Sequence, residues 1–164
     1  MEIADQVLVG SAGNTIFIEV IGRGNFQNSH PLKEYSLSMM EKGKHDFIFN
    51  LAKCDGMDST FMGVLAGLAI KLKKNHQKSL KIVNVSLHNR ELLETLGLMS
   101  LLQVVEASPE QTSAGEALKK KPADKPAVAK HMLEAHETLS QLSEMNKVKF
   151  KNVIQVLSDD VNKK

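Results

Sequence analysis

Asp58, Ser59 and Thr60 place a carboxylate and two hydroxyls on successive residues, between the apolar run Phe47-Ile48-Phe49-Asn50-Leu51 and a nearly continuous apolar segment opening at Phe61. That position is where a buried strand hands over to a buried helix. Small oxygen-bearing side chains are favoured there because they accept bonds from the free N–H groups of the first helical turn. The same N–H groups, with the helix dipole, make a good seat for a phosphate. Two readings follow from the residues alone: a helix cap, or a hydroxyl that takes a phosphoryl group.

Other reactive side chains form weaker patterns. Cys54 lies close to Thr60 in sequence, but no basic neighbour is at hand to stabilise a thiolate, so it reads as a semi-buried structural cysteine. His131, Glu134, His136 and Glu137 have metal-ligand character. The two histidines are five positions apart, about 140° around a helix, so they diverge and read as solvated helix residues. Neither a His-Glu-x-x-His spacing nor a cysteine cluster accompanies them. Gly22-Arg23-Gly24 falls short of a dinucleotide-binding fingerprint. No nucleophile, base and orienting group can be assembled, so the chain reads as a non-enzyme without a cofactor.

The elements that must hold Asp58 to Thr60 can be read from pattern. Gln6–Val9 and Thr15–Ile21 are β-branched strands around a Gly10-to-Asn14 turn, which by turn chemistry predicts a hairpin. A helix is expected from Ser29, as cap, to Lys42, with Pro31 in its first turn and Gly43 ending it. His45 to Leu51 is a continuous apolar run, as in strands covered on both faces. The helix from Thr60 to Asn75 spaces Phe61, Val64, Leu65, Leu68 and Leu72 by threes and fours. Its Gly63, Ala66 and Gly67 would permit close approach to a sheet, and Lys71, Lys73 and Lys74 complement its C-terminal dipole. Leu80–Val85, a helix from His88 to Leu96 stopped by Gly97, and a strand over Leu101–Val105 complete an alternating α/β pattern.

Residues 108–126 are polar, contain prolines and lysines, and are almost devoid of large apolar side chains, so they read as a linker. Beyond it, Val128, Met132, Ala135, Leu139 and Leu142, then Phe150, Val153 or Ile154, Leu157 and Val161, describe amphipathic helices with a break near Ser143–Asn146. A stripe of that size needs cover. It can fold back on the preceding domain, pair with a second copy, or bind another protein.

Composition narrows the class. Lys and Arg total 21 against 19 acidic residues, a net charge of +2, which gives no reason to expect nucleic acid or an anionic membrane as partner. A single cysteine excludes an intrachain disulfide and suits a reducing compartment. The start, Met1-Glu2-Ile3-Ala4-Asp5, has no signal-peptide character, and no segment has the 18 or so apolar residues that span a bilayer. A cytoplasmic protein is the expectation.

With its strand, Asp-Ser-Thr, apolar helix, second strand and Leu-rich helix ending at Leu96-Gly97-Leu98, the chain resembles a STAS domain over about residues 5–107, the fold of bacterial anti-sigma factor antagonists. The resemblance implies a mixed sheet with helices mainly on one side, followed by a helical extension outside the family pattern. The family motif reads Asp-Ser-Ser/Thr-Gly-apolar-Gly, and its second hydroxyl is the phosphoacceptor. That implies Thr60 as the acceptor, with Ser59 the alternative, and Asp58, Ser59, Thr60, Phe61 and Gly63 at the partner-binding surface. Phe61 replaces the family's first glycine, as an exposed anchor or an extra core contact.

By the same resemblance, the partners are a serine/threonine kinase that acts as anti-sigma factor and a metal-dependent phosphatase that resets the switch. Self-association through the C-terminal helices is a further expectation. A phosphorylation-independent assembly or scaffold module acting through those helices is the alternative function. The expected organisation is therefore a STAS-like domain at 1–107, a linker at 108–126 and a helical extension at 127–164. All sheet strands expected from the sequence precede the linker, so a 1–107 fragment should fold; a cooperative denaturation curve for that fragment is the check.

Overall fold

The computed structural model describes residues 4–106, 115–119 and 124–162. In chain order the strands are β1 (Gln6–Ala12), β2 (Thr15–Gly24), β3 (Asp46–Asn50), β4 (Cys54–Met57), β5 (Leu80–Val83), β6 (Leu102–Val104) and β7 (Glu116–Ala117). The helices are α1 (Phe26–Glu41), α2 (Ser59–His76), α3 (Leu87–Thr95), α4 (Lys125–Ser140) and α5 (Glu144–Asn162). β1 and β2 form the expected antiparallel hairpin, and Gly13 supplies the positive φ of 61° its tight turn needs. The sheet runs β6-β5-β3-β2-β1-β7, parallel from β2 to β6 and antiparallel at β1 and β7. β4 pairs in parallel with the far end of β2.

Cross-strand register aligns Val9, Ile18, Phe49 and Ile82 in one buried row. Helices α1 and α2 cover that face, while Leu8, Phe17, Ile48 and Lys81 on the other are only half-buried. β3 accordingly alternates: Phe47 and Phe49 are buried, Asp46 and Ile48 half-exposed. The apolar run that suggested cover on both faces has cover on one. Asp46 makes the open side workable by accepting bonds from Thr15 Oγ1 at 2.9 Å and Lys81 Nζ at 3.2 Å.

β1 and β2 each run three residues past the expected ends, to Ala12 and Gly24, and two further differences have a local reason. α1 starts three residues earlier than expected, because Asn25 caps it by accepting from the N–H groups of Gln27 and Asn28 while Asn28 returns the bond to Asn25 N–H. Ser29, expected as the cap, lies inside the helix and is buried. The stretch from Cys54 to Met57, expected as a loop, pairs as β4 and steers the chain into Asp58.

The C-terminal helices fold back on the α/β domain. α4 lies along α2, α5 lies along α4, and Leu139 and Phe150 belong to the same apolar cluster as the sheet. Asn146 fixes the turn between them, donating from Nδ2 to the carbonyls of Leu96 and Leu139, each at 2.9 Å. Of the expected linker, residues 108–114 and 120–123 lie outside the described residues; Glu116–Ala117 forms β7 on the β1 edge, and α4 begins at Lys125. The lysine cluster at 119–121 falls mostly among those undescribed residues.

Phe61 is wholly buried, which corrects its placement at a partner surface: it is a core contact. Its ring lies so close to Gly24 that a Cβ there would sit 2.7 Å from Cγ of the phenyl group. Phe61→Ala should therefore lower the unfolding free energy by about 3–5 kcal/mol, read from denaturant melts of both proteins; a change within error would remove Phe61 from the core.

Candidate functional site

Asp58 ties the starts of two helices together. Its Oδ1 accepts from Phe61 N–H at 2.8 Å, capping α2, and its Oδ2 accepts from Phe26 N–H at 3.0 Å in the first turn of α1. Its own N–H donates to the Gly24 carbonyl at 2.9 Å, anchoring the cap to the end of β2. The carboxylate so satisfies donors that would otherwise face the cleft between two helix N-termini. Ser59 and Thr60 are then the first two residues of α2.

Both residues border a groove beside α4 and α5. Thr60 is 2% exposed. Ser59 is half-buried, and its hydroxyl is 2.8 Å from Nε2 of His136 on α4. The other ring nitrogen, Nδ1, is 2.7 Å from the Met132 carbonyl, which can only accept, so Nδ1 carries hydrogen. In the neutral ring Nε2 is then an acceptor and Ser59 donates to it. Met132, Val153 and Val156 extend an apolar groove from this pair along α5.

Gly63 seats α4. A Cβ on Gly63 would fall 2.7 Å from the Cβ of Ala135, so only glycine lets the two backbones meet there. Gly67, one turn on, faces Thr138. The sequence reading assigned these small residues to the sheet; they serve the helix on the opposite side of α2. Ala66, by contrast, is fully buried in the core.

A second hydroxyl–histidine pair lies farther along α4. Ser29 donates to the Phe26 carbonyl at 3.2 Å, leaving its oxygen to accept from His131 Nε2–H at 2.8 Å. Beside it Lys33 Nζ pairs with Glu134 Oε2 at 2.8 Å, and that bond holds the Glu134 carboxyl below its usual range. The expectation that His131 and His136 are solvated is overturned: both are at most 5% exposed, because α4 turns this side to the domain. A signal was present. His131, Ala135 and Leu139 fall at steps of four, so His131 shares the row of two apolar residues. The histidines reach different hydroxyls, and among the described residues no cluster of three or more ligating side chains is placed for a metal.

Cys54, read as a semi-buried structural cysteine, is buried, and burial pushes its thiol up. Its Sγ–H donates to the Gly56 carbonyl at 3.3 Å. A protonated, covered sulfur is a poor nucleophile.

Comparison with known proteins agrees with this architecture. The STAS domain family model matches residues 7–111. An anti-sigma-B factor antagonist of Staphylococcus epidermidis is 36% identical over 77 residues, 47% of this chain and 70% of that protein. SpoIIAA, an anti-sigma factor antagonist solved in its unphosphorylated form, superposes with a TM-score of 0.54 at 16% identity, over 64% of this chain and 92% of its own. The phosphorylated form of the Bacillus SpoIIAA gives 0.53 at 17% identity, over 64% and 94%. The chain belongs to the STAS domain family, and its fold is that of the anti-sigma factor antagonists. The matches leave α4 and α5 outside the family region. Among the described residues no helix is long and apolar enough to cross a membrane.

The buried pair at Ser29 sets a pH dependence. Burial, then the nearby His30 and Lys33 charges, lower the His131 pKa from 6.5 to about 4, and Nδ1 has no acceptor for an added proton. Between those values the unfolded chain takes up a proton that the folded chain refuses, so stability is full above pH 6.5 and is lost as pH falls toward 4. Thermal melts at neutral pH and near pH 4 should show a smaller acid-induced drop for His131→Gln than for the parent; equal drops would assign the acid sensitivity to other groups.

Proposed function

We propose that this chain is a non-enzymatic partner switch of the anti-sigma factor antagonist kind, acting in the cytoplasm. Unphosphorylated, it binds a serine/threonine kinase that doubles as an anti-sigma factor, freeing the kinase's other client. Phosphorylation at Thr60, or at its neighbour Ser59, ends that complex, and a metal-dependent phosphatase restores it. ATP and magnesium belong to the kinase; this chain supplies the hydroxyl. The observation that carries the reading is the Asp58-Ser59-Thr60 turn at the N-terminus of α2 in a STAS fold. The relative named an anti-sigma-B factor antagonist, and the SpoIIAA structures in two phosphorylation states, support it.

Physical chemistry fits a switch at this spot. A phosphate adds roughly −1.5 to −2 charges, which the positive end of α2 tolerates within the fold. A partner's acidic or apolar surface does not, since an unpaired desolvated charge costs several kcal/mol. Asp58 orients the turn, Ser59 assists it, and Gly63 sets how closely a neighbouring helix approaches.

A second reading is a phosphorylation-independent assembly module. Burial of Thr60 and the exposed Met145, Val148 and Val156 on α5 favour it, because they move the available apolar surface from the motif to the extension. The two separate experimentally. Phosphosite mapping on protein from its native cells should place phosphate on Thr60 and lose it in Thr60→Ala. Thr60→Glu should weaken kinase binding far more than thermal stability. Full modification of Thr60→Ala on Ser59 alone would move the acceptor; unchanged binding by Thr60→Glu and by the authentically phosphorylated protein would leave the assembly module.

A further inference from the structure

The hairpin of α4 and α5 occupies the surface around the Asp-Ser-Thr turn. His136 holds the Ser59 hydroxyl, Thr60 lies 2% exposed at the foot of the groove, and Ala135 sits on Gly63. A kinase must bring its γ-phosphate in line with a hydroxyl, which needs open space beside it. While α4 is seated, the approach to either hydroxyl is confined to the groove bounded by Met132 and His136 of α4 and Val153 and Val156 of α5, and the Ser59 hydroxyl is already engaged by His136. The same helix covers the flank of α1 through Ser29–His131 and Lys33–Glu134.

We propose that the face of α1 and α2 bearing Ser29, Lys33, Ser59 and Gly63 is a helix-docking surface, and that α4 with α5 is its intramolecular occupant, a built-in competitor that must leave before a partner docks or the turn is phosphorylated. This deepens the partner-switch reading and rests on it for the identity of what is excluded. The fit is that of one helix on another: glycine at positions 63 and 67 of α2 leaves a shallow channel for a backbone, with polar pairs at both ends. An incoming partner helix would therefore carry a small residue where Ala135 sits and a carboxylate opposite Lys33.

The contacts across this seam suit a detachable element. The polar ones are two hydroxyl–imidazole bonds, a surface ion pair and the bond from Asn146 Nδ2 to the Leu96 carbonyl, each of modest net worth. The sheet, β4 and α3 are joined to one another without the hairpin. Release would expose the apolar sides of Leu139 and Phe150, so the closed form dominates until a partner takes its place.

Two variants of the full chain separate opening from occlusion. In Gly67→Cys/Thr138→Cys the new thiols face one another, since the Gly67 Cβ position is 4.0 Å from Thr138 Cγ2, and oxidation locks α4 to α2. Cys54 is buried and stays out of the exchange. In Ala135→Glu a longer, charged side chain meets Gly63 and props the hairpin off.

Amide hydrogen exchange by mass spectrometry should show α4, α5 and the first turn of α2 exchanging roughly tenfold or more faster than β2, β3 and β5. The disulfide should remove that difference and its reduction restore it. In native cells, a phosphate-affinity gel should show a several-fold larger phosphorylated fraction for Ala135→Glu than for the parent. Exchange of hairpin and sheet at one common rate overturns the proposal. So does equal phosphate on the parent and on Ala135→Glu once exchange has confirmed that the latter is open. Phosphate on none of the variants, with the hairpin opening as described, removes the phosphoswitch reading and supports the detachable occupant alone.

Discussion

The carboxylate of Asp58 is the contact on which the site's geometry depends. One oxygen serves Phe61 N–H in α2 and the other Phe26 N–H in α1, while the residue's own N–H is held by the Gly24 carbonyl. A helix cap is worth about 1 kcal/mol, and bonds to a charged acceptor run to about 1.5–3 kcal/mol each. The energetic contribution is secondary to the constraint. Because one residue joins both helix starts through its side chain and the end of β2 through its backbone, α1 and α2 are held together over the sheet. Phe61 is held beneath Gly24, and the Ser59 hydroxyl is aimed at His136 of α4.

That arrangement makes α2 an inner helix. A STAS-like sheet covers one side of it, and α4 covers the other, so residues from Thr60 to Ala66 are buried without interruption. The near-continuous apolar character of this segment has its explanation there: a helix with partners on two sides needs no polar stripe. Small residues at Gly63 and Gly67 are the cost of that double packing, since a side chain at Gly63 would collide with Ala135. The polar contacts across the seam then come from α4, through His131, Glu134 and His136, each meeting a partner of α1 or α2.

Hydroxyl chemistry near the turn is thereby coupled to the position of a helix far away in sequence. Ser59 and His136 are separated by 77 positions along the chain, Ser29 and His131 by 102. A phosphate on Ser59 would lie where the imidazole of His136 now sits. On the proposed reading, movement of α4 and release of the Ser59 hydroxyl are one event.

The sequence by itself determined five strands of the sheet, β1, β2, β3, β5 and β6, with the helices, their alternation and the Asp58-Ser59-Thr60 turn, but not β4 or β7, because the former are written in short-range signals: β-branched runs, steps of three and four, turn glycines and capping oxygens. It showed the amphipathic stripe of the extension but left open what covers it. Only the tertiary structure decided that α4 lies on α2, that Gly63 faces Ala135 instead of the sheet, that Phe61 is core, and that two histidines read as solvated are buried against serines. A single chain's pattern specifies which face of a helix is apolar. It does not specify which of several apolar faces becomes its neighbour, since that choice depends on shape and paired polar groups brought together from distant parts of the chain.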